Sequence, residues 1–443
     1  MDIEKEQEKI TNFVKSEINK LKKKDINIAK SSLSYFALFG ETIGFAKILV
    51  FRQGFFKIIN YYKTIFKDLI LIAKSHNLEI VNSNIPKNAK NIVISNASFN
   101  DFQENGSYVD RYFKINSDEF RKTIFIINYS ENKIPKKIND NIILFRNKKS
   151  NIFSGLIYLI GKIIKETLNK KFFYELSSYS VLAENLFYFV KKNFIIENIE
   201  KIIVPYEGQP FQQFLFYKIK KINNKIINIG YDHSAPHSLP LNLFYREGAP
   251  DVLLVNSISQ KENSINLLNW PKEKIKLVPS LRYSLKSEES FSNKIFFPYK
   301  IFDQDLILNH LEIFLKKQKD FSLNQMEIKM HPVSPYNKEQ INLKEKIESL
   351  LLKYTRKFAE KYINQDTSLF IGATTAIIVA LEKNIKVIHL CNDPVIDSYS
   401  NYMWPRLKIK KITGYLFEYL LNEKETFLIF GKEPDLFKNY YLN

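Results

Sequence analysis

Ser368-Leu-Phe-Ile-Gly372-Ala-Thr374-Thr375-Ala-Ile-Ile-Val-Ala-Leu-Glu382 decides how this chain is read. Ser368 to Gly372 is a short apolar run with strand character. It passes through a small, hydroxyl-rich turn into Ile377 to Glu382, which has the composition of a buried helix. Lys386-Val-Ile-His-Leu390 is the next strand, and Met326-Glu-Ile-Lys-Met330 is an earlier one that ends at His331-Pro332. Strand, turn, helix, strand is the crossover unit of a parallel α/β sheet. A helix starting at Thr374 or Thr375 leaves its first N–H groups without partners, and Gly372 lets a ligand approach the backbone. Threonine is also an ordinary helix cap. His331 on the same carboxyl edge, where open α/β sheets bind ligands, favours a phosphate seat over simple capping.

Upstream the same alternation repeats. Strands are expected at 91–95, 122–127, 141–145, 201–205, 225–230, 251–255 and 275–278, with helices at 153–169, 172–192, 211–221 and 258–269. The pattern predicts two doubly wound α/β domains facing a cleft. The first spans 31–283, a polar linker covers 284–293, and the second spans 294–443 with a tail that packs back across the cleft. Residues 1–30 are charged and are expected to form an exposed helix. Residues 33–74 are aromatic and aliphatic with Lys or Arg every few positions. They fit core helices, the favoured reading, or a basic helix lying on an anionic membrane.

At 443 residues there is room for two separate cores. The formal charge of +19 favours phosphate-bearing partners: nucleic acid, anionic lipid or sugar nucleotides. The single cysteine, Cys391, excludes an intrachain disulfide and a cysteine-based zinc cluster and suits a reducing cytoplasm. The N-terminus has no signal-peptide pattern, and no uninterrupted apolar run reaches the ~18 residues of a membrane span. No dinucleotide or P-loop fingerprint is present, and no His or carboxylate cluster has metal-ligand spacing, so neither a cofactor nor a metal is expected.

Glu207 ends a first-domain strand and is followed by Gly208-Gln209-Pro210. Its carboxylate there suits a general base, or an acid serving the helix that starts at Pro210. The next strand ends in Asp232-His233, so two adjacent strand ends carry polar groups and line the cleft together with Gly208 and Gln209. Arg282 is a candidate partner for a phosphate or carboxylate. In the second domain His331, aimed by Pro332, is suited to a departing phosphate. Glu382, about two turns into its helix, is suited to hold ribose hydroxyls or, equally, to be a solvated helix carboxylate.

At these residues the chain resembles the GT-B glycosyltransferases, with two Rossmann-like domains and the donor held mainly by the second. His331-Pro332 and Thr374-Thr375 are similar to the His-Pro and Ser/Thr motifs of bacterial sialyltransferases and Kdo transferases. Tyr206-Glu207-Gly208 matches their acidic-acidic-Gly motif in part, with Tyr206 where the first acid stands. Over about 200–285 the chain also resembles a surface-carbohydrate family of O-antigen and capsule loci, through Glu207-Gly-Gln209-Pro210-Phe211, His233-Ser234 and Leu281-Arg282-Tyr283. The resemblance implies an inverting, metal-independent transferase. It would move an acidic sugar from a CMP-sugar to a glycan or glycolipid, in the cytoplasm at the inner membrane face. The alternatives are the same fold using a UDP- or GDP-sugar, and a nucleic-acid binder. The dispersed basic residues and the lack of any nucleic-acid motif argue against the last.

Overall fold

The computed structural model describes residues 2–24, 26–37, 42–82, 89–149, 151–169, 175–283, 291–298, 301, 303–317, 326–331, 338–354 and 366–431. Pro332 and most of the expected linker, 284–290, lie outside the described residues.

The architecture is mixed α/β, built on two parallel-rich sheets, as the expectation of two Rossmann-like units requires. The first sheet comprises β1 (Asn77–Ile80), β2 (Asn91–Ala97), β3 (Thr123–Tyr129), β4 (Ile142–Lys148), β5 (Lys201–Pro205), β6 (Ile227–Tyr231), β7 (Val252–Val255) and β8 (Ile275–Leu277). Their spatial order is β1-β4-β3-β2-β5-β6-β7-β8. All neighbours are parallel except β1, which pairs antiparallel with β4 at the edge. β2 and β3 are almost wholly buried. Their continuous runs of Ile, Val and Phe are what strands covered on both faces need.

The second sheet is β10-β9-β11-β12-β14-β13, from β9 (Lys294–Phe296), β10 (Glu327–Lys329), β11 (Thr367–Ile371), β12 (Lys386–Leu390), β13 (Leu407–Lys411) and β14 (Leu416–Leu421). The last two form an antiparallel hairpin on β12. In each sheet the chain first winds one way and then the other. The winding reverses between β2 and β5 in the first and between β9 and β11 in the second. At such switch points the loops part and leave a crevice outside the carboxyl ends.

The helices are α1 (Ile3–Lys23), α2 (Ile43–Gln53), α3 (Ile58–Lys74), α4 (Ile152–Leu168), α5 (Ser178–Asn193), α6 (Pro210–Ile222), α7 (Ile258–Asn266), α8 (Gln304–Lys317), α9 (Lys338–Tyr354), α10 (Ala376–Glu382) and α11 (Pro394–Asp397). The expectation of two separate cores is corrected. One apolar cluster runs from Ile10, Ile92 and Phe214 through Phe370, Ile377 and Tyr399 to Phe427. A smaller one fills the outer layer of the second sheet around Leu311, Leu343 and Leu369.

The expected exposed N-terminal helix is also corrected. α1 buries Ile10, Val14, Ile18 and Leu21, and Gln7 donates to the carbonyls of Val395 and Ser398 at 2.8 and 3.0 Å. Its charges occupy only the wet side of an amphipathic helix. Of residues 33–74, α2 buries Ile43, Phe45 and Ile48, whereas α3 buries only Asp68, Ile72 and Ala73. The core-helix reading therefore fits α2 and fails for most of α3.

The two carboxyl edges face each other. Tyr399 Oη donates to the Pro236 carbonyl, Ser238 Oγ to the Ile396 carbonyl and Trp404 Nε1 to the Ser238 carbonyl, each at 2.8 Å. Arg52 of α2 pairs with Asp393. After β14 the chain returns to the first half, where the Ile429 N–H donates to Asn256 and the Ser280 N–H to Ile429.

Candidate active site

The first switch point is built by one loop. Pro210 opens α6, where its missing N–H is no loss. Gln212 Oε1 accepts the N–H groups of Glu207 and Gln209 at 3.0 and 3.1 Å, and its Nε2 donates to the Pro205 carbonyl at 2.7 Å. Gly208 has φ +67°, and a Cβ there would stand 2.2 Å from the Asn242 carbonyl oxygen. Both the backbone hand and the close approach call for glycine. The turn sends Glu207 outward, where 43% of its side-chain surface remains open.

Gln209 Nε2 donates to Glu207 Oε2 at 2.6 Å, and His233 Nε2 lies 3.8 Å from Oε1. Surrounding protein raises the Glu207 carboxyl above its usual range, opposed by the Gln209 bond and the positive charge of Arg282. His233 is held neutral, pushed down to about 3 by burial, then by Arg282, then by His237. The edge of Tyr112 packs on its ring at 4.4 Å between centroids, and its Nδ1 is buried without a hydrogen-bond partner. An oxygen placed off the line between Glu207 Oε1 and His233 Nε2 is within hydrogen-bond reach of both.

Asp232 does not line the cleft. It is buried, accepting from the Ser234 N–H and from Gln260, and burial pushes its carboxyl up to about 8. Tyr206, in the position of the family's first acid, is fully buried with its hydroxyl bonded to Gln213 at 3.0 Å, which leaves Glu207 as the carboxylate of the motif. Arg282 is exposed, and its charge acts on both Glu207 and His233. The crevice between β2 and β5, lined by Ser95, Asn96, Asn128, Pro205, Phe211 and Gln212, holds about 20 Å³, room for one water and not for a sugar ring.

Sequence reading missed two groups here. Arg246 is buried beneath the loop, donating to Gly208, Asn242 and Phe244 carbonyls and to Gln213 Oε1 at 2.7–3.0 Å. Burial pushes it down to about 10, still charged at neutral pH. His237, pushed down to about 4 by burial, adds a second neutral imidazole next to His233. Its signal was its place in the loop after β6; Arg246 had none.

On the second sheet, His331 follows β10 and Gly372 to Thr375 follow β11, with β9 between them. That spacing is about 10 Å across two strand intervals. His331 is half-buried, and burial lowers its imidazole below the ordinary value. Gly372 has φ +65°, and a Cβ there would meet the Asn392 amide at 2.5 Å. The helix starts one or two residues later than expected, at Ala376. Thr374 Oγ1 accepts the Ala376 N–H at 3.2 Å, while Thr375 makes no side-chain cap bond.

His389, given no role from sequence, lies under this turn. It is 2.8 Å from the Gly372 carbonyl through Nε2 and 3.1 Å from Tyr419 Oη through Nδ1. Tyr419 Oη in turn accepts the Tyr399 N–H at 3.3 Å. The Gly372 turn is thereby tied to the segment that meets the first half.

Glu382 is a correction. It is buried, and its two oxygens accept the N–H groups of Glu425, Phe427 and Leu428 at 2.7–3.1 Å. It fixes the returning segment and does not face a ligand. Glu207, Gln209, His233 and Arg282 are thus gathered on one edge, and His331, Gly372, Thr374 and Thr375 lie on the edge of the second sheet. Among the described residues no group of three or more His, Cys, Asp or Glu is arranged to hold a metal ion.

No protein-family model and no curated protein matches the chain. Among solved structures, the crystal structure of a glycosyltransferase from Rickettsia africae ESF-5 is similar at 12% identity and a TM-score of 0.30, covering 69% of this chain and 86% of that one.

Proposed function

We propose that the protein is a glycosyltransferase of the inverting, metal-independent kind. In this reading it transfers an acidic sugar, of the sialic acid or Kdo type, from a CMP-sugar to a hydroxyl of a surface glycan or glycolipid. The observation that carries the reading is Glu207. It is a half-open carboxylate at the first switch point, steadied by Gln209 and faced by a neutral imidazole, on an edge turned toward the carboxyl edge of the second sheet.

In the proposed step the acceptor hydroxyl gives its proton to Glu207 while accepting a hydrogen bond from His233 Nε2–H. Its oxygen forms the new bond to the anomeric carbon. The bond from that carbon to the phosphate breaks, and the electron pair leaves on the phosphate oxygen. His331 and the hydroxyls of Thr374 and Thr375 would donate to that oxygen as its charge grows, which assists the transition state more than the ground state. Arg282 would attract the anionic donor or acceptor.

Thermal shifts with CMP, UDP and GDP, followed by donor-hydrolysis assays with the matching sugars, test the reading. Stabilisation by CMP above the others is expected, and a larger UDP or GDP shift would move the donor assignment to that nucleotide. Glu207→Gln is expected to remove at least 100-fold of turnover while retaining the nucleotide shift; wild-type turnover in that variant would remove the base role.

A further inference from the structure

We infer that α3 and α4 together form a docking face for an anionic lipid bilayer. The inference stands apart from the transfer reaction. α4 carries apolar side chains on both sides. Its inner side packs Leu159 and brings Lys162 and Glu166 into a buried network, while Lys165 is exposed. Lys30 Nζ lies 2.6 Å from Glu184, 3.4 Å from Glu166 and 3.5 Å from Glu175, and Lys162 pairs with Glu184. Its outward stripe is apolar: Phe153, Ile157, Ile160, Ile164 and Leu168 are 55–79% exposed. Helices on water-facing surfaces have the opposite polarity.

α3 extends the same surface. Ile59, Tyr62, Phe66 and Ile70 recur at helical spacing and are exposed, with Lys63, Lys67 and Lys74 interleaved on the same side. The helices pack closely at Gly155, where a Cβ would lie 1.8 Å from the Ala73 carbonyl oxygen. Their two acids, Asp68 and Glu166, are both buried, so the two helices present apolar groups and cations and no carboxylate on this face. Contiguous exposed apolar side chains rimmed by polar groups mark an interaction site. Apolar side chains ringed by lysines match the boundary of an anionic membrane, where acyl chains lie beneath phosphate headgroups. Among the described residues no helix is long and apolar enough to cross a membrane, so contact would be along the surface.

The test is co-sedimentation of the full chain with vesicles of phosphatidylcholine alone, or with about a third phosphatidylglycerol, at about 0.1 M salt. Binding to the anionic vesicles is expected, at least tenfold stronger than to neutral ones. Ile157→Asp with Ile160→Asp should reduce it at least tenfold at an unchanged melting temperature, because both side chains already face solvent. Lys63→Glu with Lys74→Glu should lower binding to anionic vesicles by about fivefold or more per lysine, with little change on neutral ones. Absence of binding to anionic vesicles, or undiminished binding by the aspartate variant, would overturn the inference. So would a wild-type dimer that the aspartate variant dissolves, since the face would then cover a second copy of the chain.

Discussion

Gly208→Ala isolates the turn that presents Glu207. At φ +67° an L-residue costs about 1–2 kcal/mol relative to the allowed regions. The added Cβ would also stand 2.2 Å from the Asn242 carbonyl oxygen, so the loop has to move. Movement breaks the bond from Asn242 Nδ2 to the Glu207 carbonyl, 2.8 Å, and the one from Arg246 to the Gly208 carbonyl, 2.7 Å. The second is a bond from a buried cation, worth about 1.5–3 kcal/mol. Together these predict a loss of about 2.5–5 kcal/mol, or a melting point lower by at least about 5 °C for a unit of this size. Gly161→Ala is the matched control. It lies inside α4, where a Cβ meets nothing within 4 Å, and is expected to stabilise by about 0.5–1 kcal/mol. The assay is thermal unfolding with urea denaturation on wild type and both variants. A Gly208→Ala melting point within about 1 °C of wild type would refute the account of this turn.

Lys30→Met leaves three carboxylates buried around an apolar tip and should cost about 3–5 kcal/mol in urea denaturation. The Asp232 carboxyl is raised to about 8 by burial, so the folded state keeps a proton that the unfolded chain sheds near pH 4. Its contribution is fully present below that pH and is lost as pH rises toward 8. Asp232→Asn should therefore remove part of the decline in melting temperature over that interval, measured as a pH series. Turnover is expected to rise with pH along a limb set by Glu207 deprotonation, placed above the ordinary glutamate range because the folded carboxyl is raised; Glu207→Gln should abolish that limb in the pH–rate profile. His389→Phe removes the support of the Gly372 carbonyl and should weaken nucleotide binding, read by calorimetry, while leaving vesicle binding unchanged.

The strand ends that carry the site were legible in the chain because their signals are local. β5, β6, β11 and β12 are apolar runs bounded by turn residues, and the groups that follow them, Glu207, His233 and Gly372, fall at carboxyl edges as a consequence of winding. The roles of Arg246, His389 and Glu382 each depend on at least one distant partner, Gly208, Gly372 and Leu428 at 38, 17 and 46 residues, and no spacing rule reports them. Glu382 shows why: a carboxylate on a helix reads the same whether it meets water, a ribose or three backbone N–H groups.

Periodicity told how the apolar residues of α1, α3 and α4 are distributed around each helix, since that follows from 3.6 residues per turn alone. Which side of each helix met the core was decided only by assembly. α1 turned its apolar side inward to join the two halves, while α4 divided its inner side between Leu159 and the Lys30 network and left Phe153, Ile160 and Leu168 outside. Burial is a property of the neighbours a residue acquires, and those neighbours come from distant parts of the chain.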